Sequence, residues 1–252
     1  MGRYAFHVDD GWDAASGEKA RGNSTAFTLN VRYRIQSIKR YVHGDWLDFG
    51  CADGGYAQAL LDAGAAMVAG VDVEAPRIEE AIRCNIPNTA FFVTDGHTLP
   101  FTDAAFDGAF MNETMEHVFN ERESLAELHR VIKQGGILAV ISPNRWFPFE
   151  AHTVRIGKWV SKFPTPLIPW LPKRLTSKWV DARNYWPHEL RDLVADNGFD
   201  LVEVGYIWPV FEMIPWLPAS VIRWYQRHIW LYSHIPIIGR FGVSNLVVGR
   251  RR

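Results

Sequence analysis

Hydrophobic and polar positions alternate along the 252-residue chain in short blocks that change period. Trp46-Leu47-Asp48-Phe49 is a compact apolar run ending in a Gly-rich turn, the pattern of a buried strand entering a tight loop. The spacing then predicts a helix over 56–63, a strand over 67–73, a helix over 77–84, and strands over 90–93 and 106–111. A helix over 121–132 precedes Gly135-Gly136 and a strand over 137–142. Residues 188–197 read as a helix closed by Gly198, and 199–207 and 245–250 as two more strands. Upstream, Phe27, Val31, Ile35 and Ile38 fall on one helical stripe within 25–42, with Ser24 as its cap. Residues 1–24 are polar and read as a loose arm. Strands of the fully buried type alternating with helices predict an α/β chain built on a parallel, doubly wound sheet.

Two stretches break this rhythm, about 145–186 and 209–242. Nine of the eleven Trp and ten of the fourteen Pro lie beyond residue 145. Charge divides at the same place, with a net of −7 over 1–145 and +6 over 146–252. The whole therefore reads as a single domain, 1–252, with an N-terminal arm and helix (1–43) and two aromatic cap inserts after strands five and six. At 48% apolar and 22% charged residues, the chain is not of the disordered class. A net charge of −1 gives no reason to expect nucleic acid. Cys51 and Cys84 are too few for a disulfide framework, and with no apolar leader in view a cytoplasmic setting is expected. No stretch reaches eighteen uninterrupted apolar residues, so no membrane-spanning helix is expected.

The chemistry begins where the first strand ends, in Leu47-Asp48-Phe49-Gly50-Cys51-Ala52-Asp53-Gly54-Gly55. Glycine at a strand-to-helix turn lets the backbone approach a ligand. Ala52 interrupts the dinucleotide fingerprint, and no Gly-Lys-Ser/Thr follows to make a phosphate-binding loop. Asp72 ends the second strand and Asp95 follows the third. Acids at successive strand ends lie on the carboxyl edge where open α/β sheets bind ligands. Asp72 can accept hydrogen bonds from two ribose hydroxyls and Asp95 one from an adenine amino group. Asp48 and Asp53 suit a cation better than a diphosphate, which argues against a nicotinamide dinucleotide. The alternative is that these are solvated acids at strand ends.

Over about 44–144 the chain resembles the class I S-adenosylmethionine (SAM)-dependent methyltransferases. LDFGCADGG is similar to their first motif, VAGVDVE to their second-strand acid, TDGHTLPFTDAAFD to their adenine-contacting segment and ELHRVIKQGGILAVISPN to their fifth-strand signature. The resemblance implies a Rossmann-like seven-stranded sheet whose last strand is antiparallel and lies between five and six. It implies SAM as cofactor and S-adenosylhomocysteine as product. Asp48, Gly50, Ala52, Asp53 and Gly54 would surround the methionine end. Asp72 and Val73 would hold the ribose, Asp95 and Gly96 the adenine, and Asn112 would close the fourth-strand side.

Past the fourth strand comes Asn112-Glu113-Thr114-Met115-Glu116-His117. On a helical turn Glu113, Glu116 and His117 project to one side. Two carboxylates and an imidazole can hold a divalent cation, and E-x-x-E-H resembles the ubiquinone-biosynthesis O-methyltransferases, where a magnesium-type ion is implied. His117 is equally a base or a structural residue, and His152, after strand five, is the second base candidate. Residues 155–183 carry seven Lys/Arg and one acid among Trp, Leu and Ile, and 208–238 continue the aromatic run. Peripheral membrane contact, a substrate cap and a homodimer surface all fit that composition. The function expected is SAM-dependent O-methylation of a hydroxyl on a small-molecule, glycan or lipid-linked acceptor. N- or C-methylation of a metabolite is the alternative, and a non-catalytic SAM-binding or membrane-adaptor protein is the alternative from another class.

Overall fold

A computed structural model describes residues 25–161, 164–210, 218–235 and 237–252. The expected arm and the Ser24 cap lie outside the described residues. Seven strands, β1 (Gly44–Phe49), β2 (Ala65–Asp72), β3 (Thr89–Val93), β4 (Phe106–Asn112), β5 (Ile132–Pro143), β6 (Phe199–Ile207) and β7 (Ser244–Arg251), form one sheet in the order β6-β7-β5-β4-β1-β2-β3. β7 pairs antiparallel with both β5 and β6, and the pairs β5–β4, β4–β1, β1–β2 and β2–β3 are parallel. This is the α/β, Rossmann-like sheet with an antiparallel last strand. The chain reverses its direction of travel across the sheet between β1 and β4. A crevice opens beyond the carboxyl ends of strands at such a reversal.

Both faces of the sheet are covered, so its strands are apolar on both sides. In β5, Leu138 and Val140 join a core with Leu125 and Leu128 of α4 (Glu121–Val131) and Leu190 and Val194 of the helix Pro187–Asp196. Ala139 and Ile141 join the opposite core with Ile35 and Ile38 of α1 (Thr25–Ile38) and Ala57 and Leu60 of α2 (Gly55–Ala63). The period-2 alternation sends neighbours to opposite cores. Burying Trp46, Leu47 or Phe110 completely contributes roughly 1.5–3 kcal/mol each. α3 (Ala75–Arg83) lies between β2 and β3 in the chain, with Ile78 and Ala81 buried.

The helix expected over 25–42 ends at Ile38, and the largest shift of a boundary is at the start of β5. α4 stops at Val131, because Ile132 adopts φ −78°, ψ 139°. Ile132 is fully buried and pairs with Phe106, so β5 starts five residues before the expected strand and contains the Gly pair. Tertiary burial of one side chain outweighs the local tendency to continue the helix.

Between β5 and Pro187 the chain forms short pieces. Phe149–Glu150 pairs with Thr165–Pro166, Arg155–Ile156 pairs with Trp159–Val160, and Val154, Ile168 and Val180 make a small separate core. After β6 come two short helices, Ala219–Arg227 and Ile229–His234. The buried Asn144 side chain donates 2.7 Å hydrogen bonds to Arg240 O and Gly242 O, fastening the exit of β5 to the segment before β7. No helix among the described residues is long and apolar enough to cross a membrane.

Candidate functional site

The loop after β1 is held open by backbone geometry. Gly50 (φ +82°) is packed so closely on Thr114 that a Cβ there would overlap its side chain. Gly54 (φ +85°) caps α2 with Phe91 beneath it. Ala52 also sits in the left-handed region, at φ +49°, where a Cβ costs roughly 1–2 kcal/mol. What holds it there is Asp72. Its Oδ2 accepts from Ala52 N at 2.9 Å and its Oδ1 from Glu74 N at 2.9 Å. The acid at the end of β2 therefore braces the β1 loop while each oxygen keeps further acceptor capacity.

Asp48 on β1 is 2% exposed, and its Oδ2 has no hydrogen-bond partner among the described residues. Burial, then the nearby Asp72 and Asp53 carboxylates, push its carboxyl up to about 8. Asp53 is buried beside it. Val73 is exposed just past β2. Asp95 lies at the surface, where its Oδ1 accepts from His97 N at 2.9 Å and Thr98 N at 3.4 Å, and these bonds hold its carboxyl below the usual range. Gly96 (φ +78°) follows, above the Phe49 ring. Residues 48, 50, 52–54, 72 and 73 thus gather around the ends of β1 and β2, with Asp95 and Gly96 beyond β3.

The segment after β4 is a turn. Glu113 takes φ +49°, and His117 N donates to Thr114 O at 2.9 Å. The turn separates the partners of the three residues expected on one face. Glu113 Oε1 accepts from Arg34 Nη1 at 2.6 Å and from Ser244 Oγ at 2.5 Å. Burial alone would raise the Glu113 carboxyl, but the Arg34 charge and these bonds hold it below the ordinary range. Arg34 Nη1 also donates to Asn112 Oδ1 at 2.7 Å. A guanidinium from α1 thereby clamps the end of β4 and takes up both the Asn112 and the Glu113 oxygens.

Glu116 and His117 turn toward the first insert. Glu116 is 1% exposed, its Oε2 accepts from Ser142 Oγ at 2.8 Å, and Oε1 has no partner among the described residues. Burial first and Glu113 second push its carboxyl well above the usual range. His117 and His152 meet edge to face with ring centroids 5.4 Å apart. Burial, with His152 beside it, lowers His117 to about 3, so its imidazole is neutral. The buried Glu150 Oε1 accepts from His152 Nδ1 at 2.6 Å and from His152 N at 3.0 Å, and Glu150 Oε2 accepts from Asn184 Nδ2 at 2.5 Å. Arg183 and Tyr185 fasten the turn to the insert, Arg183 Nη1 donating to Val118 O at 2.9 Å and Tyr185 Oη to Met115 O at 3.2 Å. Donor atoms of Glu116, His117 and His152 all lie within 4.8 Å of one another.

The structure thus brings His117 and His152 together, joins them to Glu116, and gives Glu113 to Arg34 and Ser244 in place of the expected set Glu113, Glu116 and His117. Sequence reasoning missed Arg34, Glu150 and Ser142. Glu150-x-His152 is a short local pattern that was legible. Arg34 lies 79 positions from Glu113 and carried no local signal.

Comparison with known proteins fits this fold. The family described as "Methyltransferase domain" matches residues 47–140. An O-methyltransferase of Penicillium expansum, cnsE, is 30% identical over 210 residues, covering 81% of this chain and 68% of that protein. An uncharacterized methyltransferase of Mycobacterium avium is 27% identical over 247 residues, covering 97% of this chain and 83% of that one. The crystal structure of a SAM-dependent methyltransferase from Mesorhizobium loti superposes with a TM-score of 0.58 at 17% identity, over 86% of this chain and 98% of that one.

Proposed function

The chain belongs to the class I SAM-dependent methyltransferases, and from that premise we propose that it methylates a hydroxyl on a small-molecule, glycan or lipid-linked acceptor held between the β4 turn and the first insert. The observation that carries this reading is the Glu150–His152 pair facing His117 and Glu116 beyond the ends of β4 and β5. A hydroxyl acceptor must lose a proton during transfer, and an oriented imidazole serves that need. The match to a fungal O-methyltransferase supports the same acceptor chemistry.

The residues suit SAM. Asp48 offers a buried oxygen with no partner among the described residues, which a cation satisfies. The Asp72 oxygens keep capacity for ribose hydroxyls. When bound, SAM supplies a methyl group activated for in-line displacement by its sulfonium. The protein's share is positioning. The β1 loop approaches the ligand through backbone, Asp72 holds that loop, and Glu150 fixes which nitrogen of His152 faces the acceptor. Exposed apolar side chains on the inserts, among them Trp159 at 52% and Trp224 at 57%, support an acceptor with an apolar or sugar portion.

Asp48 gives a test of the cofactor's cationic end. Its carboxyl is neutral below about 8 in the free protein, and a nearby cation lowers that value. SAM binding at pH 7 should therefore release up to about one proton, and affinity should rise with pH on this account. Calorimetry in buffers of different ionisation enthalpy reads the proton directly. Asp48→Asn should abolish the release, and equal release by wild type and variant removes Asp48 from the site. The same group predicts that the ligand-free fold loses stability as pH rises from about 4 to about 8, because the unfolded chain gives up this proton first.

The acceptor reading is tested with methyl-labelled SAM and a panel of phenols, catechols, sugars and polyprenyl-linked alcohols. Label recovered as a methyl ether supports it. Label recovered only on nitrogen or carbon overturns it.

A further inference from the structure

We propose that Glu116, His117 and His152 bind one divalent transition-metal ion of the zinc, cobalt or manganese kind. The three residues come from the turn after β4 and from the first insert, and their donor atoms lie within 4.8 Å of one another. Ligands of a tetrahedral ion with bonds of about 2.1 Å stand about 3.4 Å apart, so modest side-chain rotations close the cluster on an ion. Two independent features point to a cation. Glu116 Oε1 is buried and takes no hydrogen bond from any described residue, an acceptor that a bound cation would satisfy. Glu150 behind His152 accepts from Nδ1 at 2.6 Å and is itself held by Asn184. A carboxylate that fixes the imidazole tautomer from behind and turns Nε2 forward is the usual outer support of a metal-bound histidine.

The charges around the cluster are divided. Glu150 lies behind His152, Glu113 is paired with Arg34, and the Arg183 guanidinium, hydrogen-bonded to the Val118 and Phe119 carbonyls, stays charged beside His117. Two imidazoles and one carboxylate select first-row transition ions over magnesium or calcium, which prefer all-oxygen sites. Three protein ligands leave at least one open position. An acceptor hydroxyl bound there would lose its proton more readily, the ion then activating the hydroxyl in place of a free His152 base, a consequence that rests on the proposed methyl transfer, whereas the ion site itself does not.

The test uses the full chain after dialysis against a chelator. Titration with Zn2+ and with Co2+ should show one saturable site of micromolar or tighter affinity, and Co2+ should develop visible absorption of a nitrogen- and oxygen-liganded ion. His152→Ala and Glu116→Gln should each abolish the absorption, and Glu150→Gln should weaken binding about 10–100-fold. If a variant fails to fold, X-ray absorption of the wild-type Zn2+ complex decides, two imidazoles and oxygen supporting the site. Millimolar or no binding, sulfur ligation, or absorption unchanged in folded His152→Ala overturns it. S-adenosylhomocysteine binding, measured on the same samples, separates the two claims. Its loss with the ion site intact sinks the methyltransferase reading alone, and its retention without an ion site sinks this inference alone.

Discussion

His152→Ala should lower kcat on the true acceptor by about 10²-fold or more while leaving S-adenosylhomocysteine affinity unchanged. Removing a positioned base or proton-accepting group typically costs 10²–10⁴ in rate. The separation from cofactor binding follows from geometry. His152 lies with His117 and Glu116 beyond β4 and β5, whereas the residues proposed to hold the cofactor gather at the ends of β1 and β2 and beyond β3. The variant is expected to fold. Glu150 keeps two hydrogen bonds without the imidazole, from the residue-152 amide at 3.0 Å and from Asn184 at 2.5 Å. Single-turnover rates together with calorimetry check the result. An unchanged kcat removes His152 from the reaction, and a parallel loss of cofactor affinity turns the effect into one of structure.

Asp72→Ala should weaken SAM binding by about 10²-fold or more and lower fold stability at the same time. Two ribose hydrogen bonds to a carboxylate contribute about 1.5–3 kcal/mol each, so losing both reaches at least a hundredfold. The stability effect has a separate origin. Asp72 is the acceptor for Ala52 N and Glu74 N, and without it the left-handed Ala52 loses the bond that holds it. Asp72→Asn divides the two contributions, because one amide oxygen can still accept while the charge is gone. Calorimetry with S-adenosylhomocysteine and urea unfolding of both variants give the two numbers. Undiminished affinity in Asp72→Ala overturns the ribose assignment.

Local order along the chain was enough to place the sheet and its carboxyl edge. Each strand buries residues on two faces, so its apolar run is nearly continuous and ends sharply. The acid or glycine that follows must then fall at the carboxyl edge. Asp48, Gly50, Asp72 and Asp95 were legible for that reason, since a residue's position along a strand is a one-dimensional fact. The start of β5 was not, because Ile132 is claimed by Phe106 across the sheet and nothing near it in sequence announces that partner. The segment after β4 did not put Glu113, Glu116 and His117 on one face, for a comparable reason. Its hydrogen bonds go to Arg34, Ser142, Ser244 and Tyr185, which are distant in sequence and outweigh the intrinsic helical spacing of Glu113, Glu116 and His117.

What the sequence by itself determined, then, is the alternation of strands and helices and the row of acids and glycines at one edge, because hydrophobic period and turn chemistry act over a few residues. Only the tertiary structure decided which side chains face one another there. It moved Glu113 onto Arg34 and set Glu116, His117 and His152 together. Such pairings depend on burial and on opposite charge between residues tens of positions apart, and a desolvated carboxylate takes whichever partner the packed chain brings within reach.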